Sequence, residues 1–227
     1  MHPEEVIQRR VAIELKPGSL VNLGIGLPTG VSHYVSHADN ILFQSENGIV
    51  GMGSRPPEGM ADEDLTDAGG AFVMAVPGAA TVDSGMSFGL IRGGHLDVTV
   101  LGGLQVDERG YLANWMIPGR MVPGMGGAMD LVSGARRVIV AMQHTAKGGP
   151  KIVPQCTLPI TATRRVTLIV TELAVIEPTD EGLVLRERGP GVTIPTILDG
   201  TSAHLIIPDV VPEMKLAAGL AAESQVA

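Results

Sequence analysis

The sequence predicts a single α/β domain spanning residues 1–227, with a mainly parallel sheet flanked by helices and a C-terminal β-hairpin. Three observations carry this. Short aliphatic runs recur at Leu20–Leu23, Ile41–Phe43, Phe72–Val76, Asp97–Leu101, Arg137–Met142 and Val166–Val170. The first two are separated by a turn and a helical segment, which is a βαβ unit and implies parallel strands. The chain holds 30 Gly and 16 Pro in 227 residues, so many short elements are joined by tight turns and a helical bundle is excluded.

The elements follow in order. Residues 3–16 read as an amphipathic helix, with Ile7, Val11 and Leu15 at i, i+4 and i+8, and Pro17-Gly18 as its stop. Leu20–Leu23 is a strand, and Gly24-Ile25-Gly26-Leu27-Pro28 is the turn after it. Pro28 suits a first helical turn, which Thr29–Tyr34 continue. Ile41–Phe43 is the second strand and leads into Gln44-Ser45-Glu46-Asn47-Gly48. Residues 51–70 read as a polar excursion. Phe72–Val76 reads as a buried strand ended by Pro77-Gly78. Ala128–Val132 reads as a helix entered from Gly124-Met125-Gly126-Gly127. Ala174–Ile176 and Leu183–Leu185 flank Asp180-Glu181-Gly182 and form the hairpin. Residues 217–227 are small and polar and are expected to fray.

Composition narrows function. Only 3% of residues are aromatic against 44% hydrophobic, so the core is aliphatic. The net charge of −8 carries no basic footprint for nucleic acid, and none is expected as a partner. No apolar run reaches the ~18 residues of a membrane span. The acidic start, Met1-His2-Pro3-Glu4-Glu5, has no signal-peptide core. The lone Cys156 has no partner for an internal disulfide and reads as a small buried hydrophobe. The expectation is a cytoplasmic protein without membrane contact.

Several patterns suggest chemistry. Gly85-Met86-Ser87-Phe88-Gly89 matches the serine-hydrolase G-x-S-x-G pattern, which requires a strand running into the serine and a helix leaving it. The preceding Ala80–Ser84 is a weak strand. Gly24-Ile25-Gly26 follows a strand, but the third glycine of a dinucleotide fingerprint is displaced and Pro28 intrudes. His33 and His37 share a helix face at spacing i, i+4, yet no acidic residue completes a metal site, and none is expected. Glu46 stands apart. A carboxylate on an Asn-Gly turn, at the end of a buried strand, sits where α/β proteins place chemistry. The backbone N–H groups of Gly24–Gly26 and of Gly124–Gly127 are available to serve a substrate beside it.

Ser45-Glu46-Asn47-Gly48 together with Val21–Pro28 resembles the B (β) subunit of family I CoA-transferases, of the 3-oxoacid type. The similarity continues through Ile91–His95, Leu112–Gly119, Gly124–Asp130, His144–Lys147 and Cys156–Pro159. The resemblance implies that Glu46 attacks an acyl-CoA, passing through a glutamyl-CoA thioester. It implies that Gly127 donates a backbone N–H to the oxyanion. Asn22, Gly24, Gly26, Asn47 and Gly126 are implied to line the CoA and substrate site. It further implies no cofactor beyond the coenzyme A thioester as substrate, and a partner A (α) subunit in a hetero-oligomer. The chain departs from many relatives at Asp67-Ala68-Gly69-Gly70, where Gly70 replaces a frequent lysine. Two alternatives remain: a hydrolase, through the same glutamyl-CoA or through Ser87, and a non-catalytic protein that only binds acyl-CoA.

Overall fold

The computed structural model describes residues 1–119 and 124–219. Helix α1 spans Pro3–Ala12. Pro3 opens it, Glu4 and Glu5 occupy its first turn, and Arg9 and Arg10 its last, matching the helix dipole at both ends. It ends four residues before the expected 16, in a turn closed by Glu14 N–H on the Val11 carbonyl. Val6, Ile7 and Val11 are buried beneath it. Arg10 is buried too, and its guanidinium forks onto Glu187 at 2.7 and 2.8 Å while reaching Glu14 at 2.9 Å.

Strand β1 is Leu20–Leu23. The segment after it, Leu27–Tyr34, is a 3₁₀ helix rather than an α-helix. Strand β2 is Leu42–Ser45, shifted towards Glu46 from the expected 41–43. Strand β3, Ile49–Met52, occupies the start of what the sequence reads as a polar excursion, and β4 is Ala75–Thr81. The expected buried strand 72–76 ending at Pro77-Gly78 is corrected on both counts. The strand runs through Pro77 and Gly78, and it is largely exposed because it is the sheet edge. An edge strand tolerates a proline, since one side of its ladder faces solvent.

Helix α2 is Ser84–Arg92 and strand β5 is Val98–Leu101. Short strands β6 (Gln105–Asp107) and β7 (Leu112–Ala113) follow. Helix α3 is Ala128–Gly134 and β8 is Arg137–Ala141. A small ribbon pairs β9 (Thr145–Ala146) with β10 (Gly149–Pro150), and β11 (Ile152–Val153) joins β6 and β7. Strand β12 is Leu168–Val170. The expected hairpin is β13 (Ala174–Pro178) with β14 (Leu183–Arg188), followed by helix α4 (Ile194–Asp199) and β15 (Leu205–Ile206).

The main sheet has ten strands in the order β15-β14-β13-β12-β8-β5-β1-β2-β3-β4. The five central strands, β2 to β12, are all parallel. Antiparallel pairs extend both flanks, β15 adds parallel to β14 at one edge, and the hairpin is part of the sheet rather than an appendage. Parallel strands covered on both faces read as near-continuous apolar runs; β8 does so after Arg137, whereas β5 carries Thr99 within its run. Alternation sorts their side chains. Val98, Val100 and Ile139 pack on the α1 side, whereas Leu101, Val138 and Val140 pack on the side of α2 and α3. Asn22 and Thr99, one residue out of step with the α1-facing set, point to the α2–α3 side. The expected fraying over 217–227 lies mostly outside the described residues, but Ala217 N–H donates to the Arg9 carbonyl.

His144 pins the far side of the fold. It is fully buried, with Nδ1 2.8 Å from Thr171 Oγ1 and Nε2 2.8 Å from Thr201 Oγ1. Burial pushes its imidazole down to about 4. Between that value and the usual 6.5, the unfolded chain binds a proton that the folded chain does not. Stability therefore falls as the solution is acidified from pH 6.5 towards 4, by about 3 kcal/mol from this group. Urea unfolding at stepped pH checks this, and His144→Gln is expected to flatten the slope.

Candidate active site

The centre of the site is a buried polar row across three strands. Asn22 on β1 is in register with Gln44 on β2 and with Thr99 on β5. All three side chains are buried among aliphatic neighbours. A buried amide without partners costs about 1–3 kcal/mol, and here each end is used. Thr99 Oγ1 donates to Asn22 Oδ1 at 3.3 Å. Asn22 Nδ2 shares its two hydrogens among Gln44 Oε1 at 3.0 Å, the Gln44 carbonyl at 3.1 Å and Glu46 Oε2 at 3.1 Å. The row thus ends on the carboxylate singled out from sequence.

Glu46 is half-buried at the end of β2, where a turn reverses the chain into β3. Gly48 N–H donates to the Ser45 carbonyl at 3.0 Å, and Gly48 has φ +127. Only glycine adopts that backbone readily. The loop after β3 is fastened over this turn. Ala68 N–H donates to Ser45 Oγ at 2.9 Å, and Asn47 Nδ2 donates to the Thr66 carbonyl at 2.7 Å. Asn47, expected on the substrate site, spends its amide on this loop, although its side chain is exposed.

The two glycine segments converge on the same place. Gly127 is the N-cap of α3 and is buried against Glu46. A methyl group at Gly127 would lie 3.0 Å from Glu46 Cγ and 3.3 Å from Oε1. Gly126 and Gly26 have φ +56 and +87, with open space where a side chain would sit. Gly24 hugs β5, its N–H donating to the Val100 carbonyl at 2.8 Å. Glu46, Gly24, Ile25, Thr29, Asp67 and Ala68 border a cavity of about 20 Å³, room for roughly one water molecule. Leu23, Thr29, Met52 and Asp67 also line a neighbouring groove of about 1030 Å³, which Gly70 and Arg55 border. Gly127→Ala is expected to displace the carboxylate by several tenths of an ångström. The consequence is a loss of about 10²-fold in turnover with little change in fold stability, read from steady-state rates and thermal unfolding.

Other candidates fall away. Ser87 is not on a nucleophile elbow. It is the fourth residue of α2, fully buried, and accepts a hydrogen bond from Gln44 Nε2 at 3.0 Å. His33 and His37 do not share a helix, because extended Val35 separates two 3₁₀ segments. No cluster of three or more metal-ligating side chains occurs among the described residues. Cys156 lies 3.4 Å from the Tyr111 carbonyl, and burial, with Asp107 nearby, pushes its thiol up to about 11. No helix of the described residues is long and apolar enough to cross a membrane. Gln44 and Thr99 are site residues that sequence reasoning missed. The signal available was a polar residue inside or directly after an aliphatic strand.

Comparison with known proteins shows the family and the fold. Residues 4–200 match the family described as Coenzyme A transferase. The chain is 52% identical over 217 residues to the beta subunit of an acetate CoA-transferase of Haemophilus influenzae, covering 95% of this chain and 97% of that protein. It is 49% identical over 201 residues to the B subunit of a succinyl-CoA:3-ketoacid coenzyme A transferase of Helicobacter pylori, covering 88% and 97%. Among solved structures, an acyl-CoA transferase apoenzyme of Escherichia coli O157:H7 superposes with a TM-score of 0.76 at 24% identity. That match covers 94% of this chain but only 43% of the other, so the chain spans less than half of that protein.

Proposed function

The chain belongs to the coenzyme A transferase family, and from that premise we propose that it is the β subunit of a cytoplasmic CoA-transferase working through Glu46. The observation that carries this is the placement of one half-buried carboxylate, held by Asn22 and pressed against Gly127, beside a large groove. Asn22 tethers Oε2, which leaves Oε1, on the Gly127 side, as the attacking oxygen.

The reaction runs in balanced steps. Glu46 Oε1 adds to the thioester carbonyl of the donor, and the tetrahedral oxyanion expels CoA thiolate, leaving an acyl-glutamyl anhydride. The thiolate adds to the glutamyl carbonyl and releases the donor acid, leaving a glutamyl-CoA thioester. The acceptor carboxylate then attacks that thioester, and the expelled thiolate cleaves the new anhydride to give the product thioester and free Glu46. Backbone N–H of Gly127 stabilises the oxyanions. The acyl activation is conserved throughout, so the CoA thioester is substrate and no cofactor is required. The groove beside Glu46 takes the acyl-CoA.

The relatives' names include both acetate and 3-ketoacid transferases, and each is named as a beta or B subunit. A complex with a cognate α subunit, moving CoA from succinyl-CoA to a 3-oxoacid, is the reading we adopt. Initial rates of that complex with varied donor and acceptor test it. Parallel double-reciprocal lines with negligible CoA release in the absence of acceptor support ping-pong transfer. Intersecting lines, or release independent of acceptor, overturn it.

A further inference from the structure

We propose that Gln44, held by Ser87, is a positioning residue that fixes Asn22 and through it the orientation of Glu46. This rests on Glu46 being the nucleophile. Gln44 is 1% exposed and its amide is used at both ends. Nε2 donates to the Ser45 carbonyl at 3.0 Å and to Ser87 Oγ at 3.0 Å, and Oε1 accepts from Asn22 Nδ2 at 3.0 Å. A carbonyl only accepts, so the Ser45 oxygen dictates which end of Gln44 is nitrogen. The oxygen of Gln44 then faces Asn22 and dictates which end of Asn22 is nitrogen. The Gln44 backbone carbonyl, which only accepts, takes a hydrogen bond from Asn22 Nδ2 at 3.1 Å and enforces the same sense, while the Thr99 hydroxyl donates to the other end. With both amides reversed, Asn22 would present a carbonyl oxygen to Glu46 Oε2, acceptor against carboxylate.

The chain of donors therefore runs one way. It leaves Glu46 one tethered oxygen and one free oxygen. Ser87 supplies the buried anchor on α2, reaching across from a helix to a residue of β2. The serine that matches a hydrolase pattern in sequence serves the carboxylate three contacts away instead. A row of this kind is costly if half-satisfied and rigid if complete, and rigidity is what a nucleophile needs to keep a near-attack geometry.

The test uses the complex with its α partner and four variants: Glu46→Ala, Asn22→Ala, Gln44→Met and the double variant Asn22→Ala/Gln44→Met. Methionine matches glutamine in length and removes its hydrogen bonds. Gln44→Met is expected to lower kcat about tenfold with KM for acyl-CoA within about twofold of the parent. The double variant is expected to turn over within about twofold of Asn22→Ala alone, because both changes act through one contact. An unchanged kcat for Gln44→Met, a loss confined to KM, or multiplicative losses in the double variant overturns the inference while leaving Glu46 as nucleophile. Activity retained in Glu46→Ala overturns the functional reading itself. Should Gln44→Met fail to fold, Ser87→Ala decides: a drop of about threefold in kcat at constant KM supports the inference, and an unchanged kcat overturns it.

Discussion

Glu46→Ala is expected to abolish CoA transfer, lowering kcat by at least about 10³-fold while the complex stays folded. The size follows from the role. A covalent route splits one difficult exchange into two thioester–anhydride steps, and no other carboxylate on this chain hydrogen-bonds Asn22 or meets Gly127 among the described residues. Asp67 borders the same small cavity, but its Oδ1 is engaged by Gly69 N–H at 2.8 Å and Ala71 N–H at 2.9 Å. It shapes the loop and is not poised to substitute. Removing the Glu46 side chain leaves the Asn22–Gln44–Ser87 contacts intact, so the stability change is expected to be small. Rates of thioester exchange, with thermal unfolding alongside, separate the two effects.

Gly48→Ala is expected to have the largest effect on folding. Gly48 is buried with φ +127, and a methyl group there would collide with the Val82 carbonyl. That carbonyl cannot retreat cheaply, because Val82 N–H is itself bound to the Gly48 carbonyl at 2.8 Å. Left-handed strain and overpacking together cost about 2–5 kcal/mol, a fall of roughly 5–15 °C in Tm for a chain of this size. The same substitution shifts the turn that carries Glu46, so turnover falls with stability. Denaturant titration and steady-state rates on one preparation check both.

What the sequence revealed and what it hid differ for physical reasons. The Glu46 turn was legible because an Asn-Gly pair after an aliphatic run is a local signal. The hairpin around Gly182 was legible for the same reason. The burial of a strand is not local. Phe72–Val76 has the composition of a core strand, but its burial is set by what pairs beyond β4, and no described strand does. Strands β6, β7, β9, β10 and β11 are two or three residues long, too short for any periodicity to register. Ser87 shows the reverse error, a sequence pattern without its geometry. The contact between Gly127 and Glu46 joins distant parts of the chain, so resemblance pointed to it while pattern did not. The Thr99–Asn22–Gln44 row needed the strand register to be seen at all.

The central claim is that Glu46 is a covalent nucleophile. Incubating the complex with acyl-CoA in the absence of acceptor, followed by intact-mass analysis and peptide mapping of this chain, tests it most directly. The expected result is one CoA moiety per chain on the peptide holding Glu46, discharged by acceptor acid or by hydroxylamine. A chain that carries no adduct while the complex turns over, or an adduct on another residue, would contradict it.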